Sequence, residues 1–340
     1  MDALLESMPP ELAGLSNLIL YAGLFFGALI LLEILFDFVS KKSERDFKQS
    51  WVDIGIYFGH ELAGRFGGYT IFLAALMLFS EWKVVELPIN GWTWAAALIV
   101  ADFLYYWSHR LEHRVNLFWS WHNIHHSSRE YSGTTALRLG WLEPFVSWYL
   151  LVPMVVVGFD PLQVILAFQI LLTWQTWLHT QKIGRLGWFD KVFNSPANHR
   201  VHHGSNPEYL DKNFGAMLII WDRLFGTWAP ETIPVRYGLT TDLGTLNPIK
   251  LNYLVPFNML RSMVRAGSLR HAILSVLGPP EWNPTVGFSN VASTSLWRRL
   301  PGIGAFAAIE AKNTRSAAID AAGVNIYSRM VKAIEGNDDK

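Results

Sequence analysis

From Leu12 to Leu32 the chain runs for 21 residues without a charge. Wound as a helix at about 1.5 Å per residue, that stretch spans the roughly 30 Å hydrocarbon core of a bilayer. A helix satisfies its own backbone polar groups, which lipid cannot do for it. The segment therefore predicts an integral membrane protein of the all-α class. Composition agrees: 51% of the 340 residues are hydrophobic, only 16% are charged, and there are 16 Trp. The mean hydropathy is +0.20, on the membrane side of what soluble domains show. Asp2, Glu6 and Glu11 precede the first apolar run without any Lys or Arg, the wrong flank for a cleaved signal peptide, so the segment is expected to be retained.

Charge and cysteine content remove whole classes of function. The 28 basic and 28 acidic residues cancel, which leaves no basic field for nucleic acid. With no cysteine there are no disulfides, no thiolate nucleophiles, no Cys-ligated zinc and no iron–sulfur cluster. Any metal must be held by histidine or by oxygen ligands.

The basic cluster KKSERDFK, residues 41–48, follows the first span and places that loop in the cytoplasm and the N-terminus outside. Further spans are expected over about Leu62–Ser80 and Leu87–Trp107. The apolar runs Phe145–Phe159 and Pro161–Thr180, joined by the turn GFDP, read as a hairpin that either crosses the bilayer or re-enters it. The fold expected is thus a helical bundle of four to five spans, or three plus a re-entrant hairpin. By this count every histidine cluster faces the cytoplasm, as a His-rich cap. Residues 1–50 form an N-terminal helix and basic loop, 51–230 the membrane-embedded core, and 231–340 a cytoplasmic extension with amphipathic helix over 250–278 and a polar final forty residues.

Histidine is where the chemistry lies. HRLEH sets His109 and His113 at i, i+4, on one helix face. HNIHH adds His122, His125 and His126, and HRVHH repeats the pattern with His199, His202 and His203. His179 stands alone in TWQTWLHT. Nine of 11 histidines thus gather on one membrane face. Burying that many imidazoles without a common partner costs several kcal/mol each in lost solvation, so a metal centre is the better reading. One ion takes four to six ligands, so nine imply two ions. His271 reads as an ordinary polar side chain, and His60 as a hydrogen-bonded one or a further ligand. Asp102, Glu112, Asp211 and Asp222 are expected either as acceptors that fix imidazole tautomers or as ordinary surface and cap charges.

The motifs HxxxH, HxxHH and a later HxxHH, with DFLYYWSHRLEH, WHNIHHSSREYS, SPANHRVHHGSNPEYLDKNFG and WDRLFGTW around them, resemble the fatty acid hydroxylase and sterol desaturase superfamily. The resemblance covers roughly residues 50–290 and is nearest to a bacterial branch related to alkylglycerol monooxygenase. It implies a membrane-bound non-haem di-iron oxygenase, which hydroxylates or desaturates an unactivated C–H bond of a membrane lipid or sterol. His109, His113, His122, His125, His126, His199, His202 and His203 match the family's ligand positions, and His179 its extra histidine. Where some members have HxxxH around that histidine, this chain has Gln175, which leaves His60 as the tenth-ligand candidate.

Zinc takes the same imidazoles but has no redox change, so oxygen chemistry requires iron. No nucleotide fingerprint is evident, PGIGAF at 301–306 being too weak, and no haem domain is appended. Electrons must come from outside, from a ferredoxin or cytochrome partner or a diffusible donor such as a reduced pterin. Trp141–Trp148 and Ile165–Trp177 could line an acyl slot, or simply pack. Two other classes compete. A zinc-dependent membrane hydrolase needs one metal-bound water rather than nine ligands, and a metal transporter or sensor needs its ligands near the bilayer midplane.

Overall fold

The computed structural model describes residues 10–40, 45–280 and 282. Among them the chain is helical, with no strand and a single isolated bridge between Phe193 and Leu218. In chain order the helices are α1 (Pro10–Val39), α2 (Phe47–Ala63), α3 (Tyr69–Ser80), α4 (Gly91–Glu112), α5 (Asn116–His126), α6 (Glu143–Val146), α7 (Val152–Val157), α8 (Pro161–Thr176), α9 (Pro196–His202), α10 (Ile220–Phe225), α11 (Pro248–Val264) and α12 (Leu269–Leu277). Contacts divide the chain into one unit, Met1–Met259, which holds all nine clustered histidines, and a second, Leu260–Lys340.

Among the described residues two stretches are long and apolar enough to cross a membrane: Gly14–Val39 of α1, with 26 residues, and Phe47–Ser80, with 34. The second is not one straight rod. A π-helical turn at Gly64–Gly68 joins α2 to α3, and Gly67 sits there at φ +140°, a conformation only glycine adopts without strain. α2 buries polar residues, Gln49, Ser50, Asp53 and His60, and exposes Trp51, Phe58 and Leu62. α3 carries the expected second apolar run.

α4 covers the third expected apolar run. Asn90 and Thr93 form a reciprocal cap at its start, and at about 1.5 Å per residue His109 lies about 29 Å further along. The histidines and the α3–α4 turn are therefore at opposite ends of the bundle. That turn exposes Glu81, Lys83 and Glu86. The expected hairpin is built from α6, a 3-10 turn, α7 and α8. Its tip meets the same turn, with Val84 N donating to Val156 O (2.8 Å) and Leu87 N to Gly158 O (3.1 Å). Gly158 has φ +127°, and a Cβ there would collide with the Val85 carbonyl.

α4, α7 and α8 close a core around Ala97, Ala101, Leu151, Met154, Val164, Ala167 and Leu171, all buried. Of the two stretches weighed for an acyl slot, 165–177 gives Ala167, Phe168 and Leu171 to this core, and 141–148 packs in part. Trp141 donates its indole N–H to Ile56 O (2.9 Å), and Trp148 stacks on Phe79. The amphipathic helix expected over 250–278 is two helices, α11 and α12, broken at 265–268. PGIGAF, the final forty residues and the first four residues of the 41–48 cluster lie outside the described residues.

Candidate metal centre

Three helices and one loop bring the histidines together. α4 carries His109 in its last turn and is capped by His113, α5 carries His122, His125 and His126, and α9 carries His199 and His202 and is capped by His203. His179 lies three residues beyond the end of α8 instead of closing it.

The nine side chains fall into two groups. His109, His113, His122, His126 and His202 form one, and His125, His179, His199 and His203 the other; within each, one ring nitrogen per residue lies within 4.8 Å of all the rest. The split follows from helix geometry. At about 100° per residue, i and i+4 differ by about 40° around the axis, whereas i+3 falls about 60° to the other side. In each HxxHH box the outer pair therefore shares one group and the middle histidine joins the other. His122 and His126 lie in the first group with His125 in the second; His199 and His203 lie in the second with His202 in the first.

The nitrogens face one another closely. Nε2–Nε2 separations are 3.1 Å for His109–His122, 3.2 Å for His113–His126 and 3.1 Å for His122–His126. In the second group they are 3.2 Å for His125–His179 and 3.1 Å for His179–His199. Around an ion about 2.1 Å from each nitrogen, ligands at right angles lie about 3.0 Å apart and tetrahedral ligands about 3.4 Å apart. The observed spacing falls between the two.

Protonation makes the case for a cation sharper. His125 Nδ1 faces Arg138 O (3.3 Å) and His179 Nδ1 faces Gln175 O (3.0 Å). A carbonyl only accepts, so each Nδ1 carries the proton. In the neutral rings both Nε2 atoms are then lone pairs pointing at each other, which repel unless a cation lies between them. Burial, reinforced by neighbouring imidazoles, holds His122, His125, His126, His199, His202 and His203 well below the usual imidazole range and so keeps them neutral. His202 Nε2 and His203 Nε2 are buried without any hydrogen-bond partner. This donor set fits metal ions.

Backbone carbonyls, more than carboxylates, fix the rings. His109 Nδ1 donates to Phe214 O (2.9 Å) and His202 Nδ1 to Lys212 O (3.0 Å). Of the four carboxylates weighed, Glu112 lies 3.3 Å from His122 Nδ1, and Asp211 lies 3.8 Å from His113 Nδ1 and 3.1 Å from Arg114. Asp102 and Asp222 touch no imidazole. Asp102 accepts from Met217 N, Leu218 N and Trp221 Nε1, and Asp222 from Phe214 N, Gly215 N and Thr227 Oγ1. Burial pushes Asp222 up to about 6 against the pull of those donors. His60 joins neither group; its Nδ1 donates to Gly140 O (2.9 Å).

Several supporting residues carry no motif. Asp211 and Asn213 adopt φ +60° and +57°, the left-handed region that Asp and Asn tolerate best after glycine, and flank the Lys212 and Phe214 residues whose carbonyls face the rings. Arg200 donates to Thr180 O (3.0 Å) and Ile183 O (2.7 Å), pinning the loop that follows His179. Tyr131 packs on His203 and His179, with ring centroids 5.0 and 5.6 Å away. Its other side is stacked on Tyr237, and both help line a cavity of about 770 Å³ with Glu33, Asp37, Arg45 and Lys182. That lining is charged, unlike an acyl slot.

Against this geometry the comparisons with known proteins agree on a family. The fatty acid hydroxylase profile matches residues 94–227. Alkylglycerol monooxygenase of Xenopus tropicalis is 41% identical over 177 residues, 52% of this chain and 40% of the relative. The Homo sapiens enzyme of that name is 33% identical over 262 residues, 76% of this chain and 59% of the relative. An ornithine lipid hydroxylase of Rhizobium tropici is 30% identical over 164 residues, 46% of each chain. This chain thus spans 40% to 59% of the length of these relatives. No solved structure matches it. Residues 94–227, which hold every histidine of both groups, are a fatty acid hydroxylase domain.

Proposed function

We propose that the chain is a membrane-bound di-iron monooxygenase that hydroxylates an unactivated C–H bond of a membrane lipid. The observation that carries this reading is the pair of all-imidazole groups, five and four rings, whose lone pairs converge inside a lipid-hydroxylase domain. The nine histidines His109, His113, His122, His125, His126, His179, His199, His202 and His203 are its ligands, and His60 is not among them. Two irons bound there supply activation of dioxygen, with one oxygen atom entering the C–H bond and the other leaving as water at the expense of two external electrons and two protons.

The residues of the chain orient and shield. Carbonyls of Arg138, Gln175, Lys212 and Phe214 hold the protonated Nδ1 atoms, leaving each Nε2 free to bind. Burial of His109, His126, His179, His199, His202 and His203 excludes bulk water from the centre. The relatives' names point to polar-headed lipids, alkylglycerols or aminolipids, as the substrate class. In this reading α1, the Leu62–Ser80 stretch from the end of α2 through α3, and α4 cross the bilayer, the N-terminus lies outside, and the centre faces the cytoplasm, where an electron-transfer protein or a diffusible reductant reaches it.

The test is lipid mass spectrometry on cells that express the full chain under isotopically heavy dioxygen. The expected result is a lipid carrying one labelled oxygen, absent from cells expressing His125→Ala or His202→Ala. A lipid profile and label content identical in all three cultures would overturn the proposal; an unlabelled product two hydrogens lighter would replace hydroxylation by desaturation.

A further inference from the structure

We propose that the two ion positions are anchored by separate scaffolds, with Arg138, set by Asp53, the positioning residue for the four-histidine group and Asp222 the positioning residue for the five-histidine group. The inference rests on the di-metal reading above and goes beyond it by assigning each ion its own support.

Arg138 is fully buried and is the largest side chain with that degree of burial. Its Nη1 donates to Asp53 Oδ1 on α2 (2.6 Å), and its Nε donates to Ile124 O (2.9 Å) and Ser127 Oγ (3.2 Å) at the C-terminal end of α5. Thr134 Oγ1 donates to the other Asp53 oxygen (2.9 Å). The Arg138 carbonyl receives His125 Nδ1 (3.3 Å). Arg138 thus grips the helix turn that presents His125 with its guanidinium, and fixes the ring with its backbone. A buried ion pair is a poor device for stability alone, because apolar residues of equal volume often serve as well. What the planar guanidinium adds is direction, through several donors at fixed angles.

The other group hangs on a different set of atoms. Asp222 takes Phe214 N on Oδ1 and Gly215 N on Oδ2, each at 2.8 Å, and Thr227 Oγ1 at 2.6 Å. It thereby holds the short segment whose Phe214 and Lys212 carbonyls receive His109 and His202. No hydrogen bond joins the partners of Arg138 to those of Asp222. Yet α5 and α9 each send ligands to both groups, so each scaffold acts on its own ion through the rings that helix geometry turns toward that ion.

The experiment uses the full chain, purified in mild detergent and loaded with ferrous iron without air. Iron per chain is measured by elemental analysis and the iron environments by Mössbauer spectroscopy. The wild type is expected to show two irons and two inequivalent signals. Arg138→Gln should retain one iron and lose one signal, and Asp222→Asn should retain one iron and lose the other signal. Thr134→Val, which removes one hydrogen bond from Asp53 and one with Ser132 Oγ while leaving the Arg138 ion pair, should keep both irons but release to a chelator, about tenfold faster, the one that Arg138→Gln lacks. Loss of the same signal, or of both together, in the Arg138 and Asp222 variants overturns the proposal, as does wild-type release from Thr134→Val should Arg138→Gln fail to fold. Fewer than two irons in the wild type would instead strike the di-metal reading beneath it.

Discussion

Asn213 gives a quantitative handle on the loop that feeds carbonyls to the centre. It is fully buried, has φ +57°, donates to Asn198 O (3.0 Å) and Ala229 O (2.8 Å), and accepts from Ala229 N (2.8 Å). Each hydrogen bond contributes about 0.5–1.5 kcal/mol net, so removing three costs about 3 kcal/mol. Asn213→Ala adds about 1–2 kcal/mol because a Cβ without a local polar partner is strained in the left-handed region, for a total of about 4–5 kcal/mol. Asn213→Gly loses the same bonds and avoids that strain, but restores about 0.5–1 kcal/mol of freedom to the unfolded chain. Glycine should therefore be the milder change by roughly 0.5–1 kcal/mol. Reversible unfolding in mixed micelles with rising SDS measures both variants, and iron content follows the loss of the carbonyl cradle. An Asn213→Ala protein within about 1 kcal/mol of wild type, or more stable than Asn213→Gly, would refute the reasoning.

Three further outcomes are expected. His60→Ala should lose about 1 kcal/mol of stability with the bond to Gly140 yet keep the full iron content; loss of an iron would make His60 a ligand after all. The metal-free chain should lose stability as pH falls below about 6.5, where the unfolded state takes up protons that the buried imidazoles refuse. The slope is up to about 1.4 kcal/mol per pH unit for each such ring, and a flat or rising thermal midpoint between pH 7.5 and 5.5 would contradict it. Gly158→Ala should open the contact between the hairpin tip and the α3–α4 turn, both by its φ of +127° and by collision with the Val85 carbonyl. Faster hydrogen exchange at Val84 and Leu87, with iron content unchanged, is the expected readout.

Much of the centre was legible because imidazole spacing is a property of the sequence. The i, i+3, i+4 pattern named eight of the nine histidines of the two groups, and topology with the family resemblance added His179. How HxxHH divides between the groups was not read, although helix geometry contains it, since which ring turns which way matters only once α4, α5 and α9 face one another. The supports were less accessible still. Backbone carbonyls have no sequence signature, so the roles of Lys212, Phe214, Gln175 and Arg138 emerge only from packing. Asp102 and Asp222 sit near the boxes in sequence, as expected of tautomer-fixing acceptors, but both turn toward backbone amides at 214–218. In the bundle, hydrophobic runs located α1, α3, α4 and α8. The π-helical bend at Gly67 and the break of the amphipathic segment at 265–268 depend on packing and turn geometry that apolar run length does not record.

The account turns on two ions per chain, one in each histidine group. The most direct measurement is the metal content and identity of the wild-type chain, purified in mild detergent without added metal or chelator and quantified per chain by elemental analysis. Two irons per chain, falling in both His125→Ala and His202→Ala, is the predicted result. A wild-type protein that binds no more than one ion of any metal, even after anaerobic loading with iron, would contradict it.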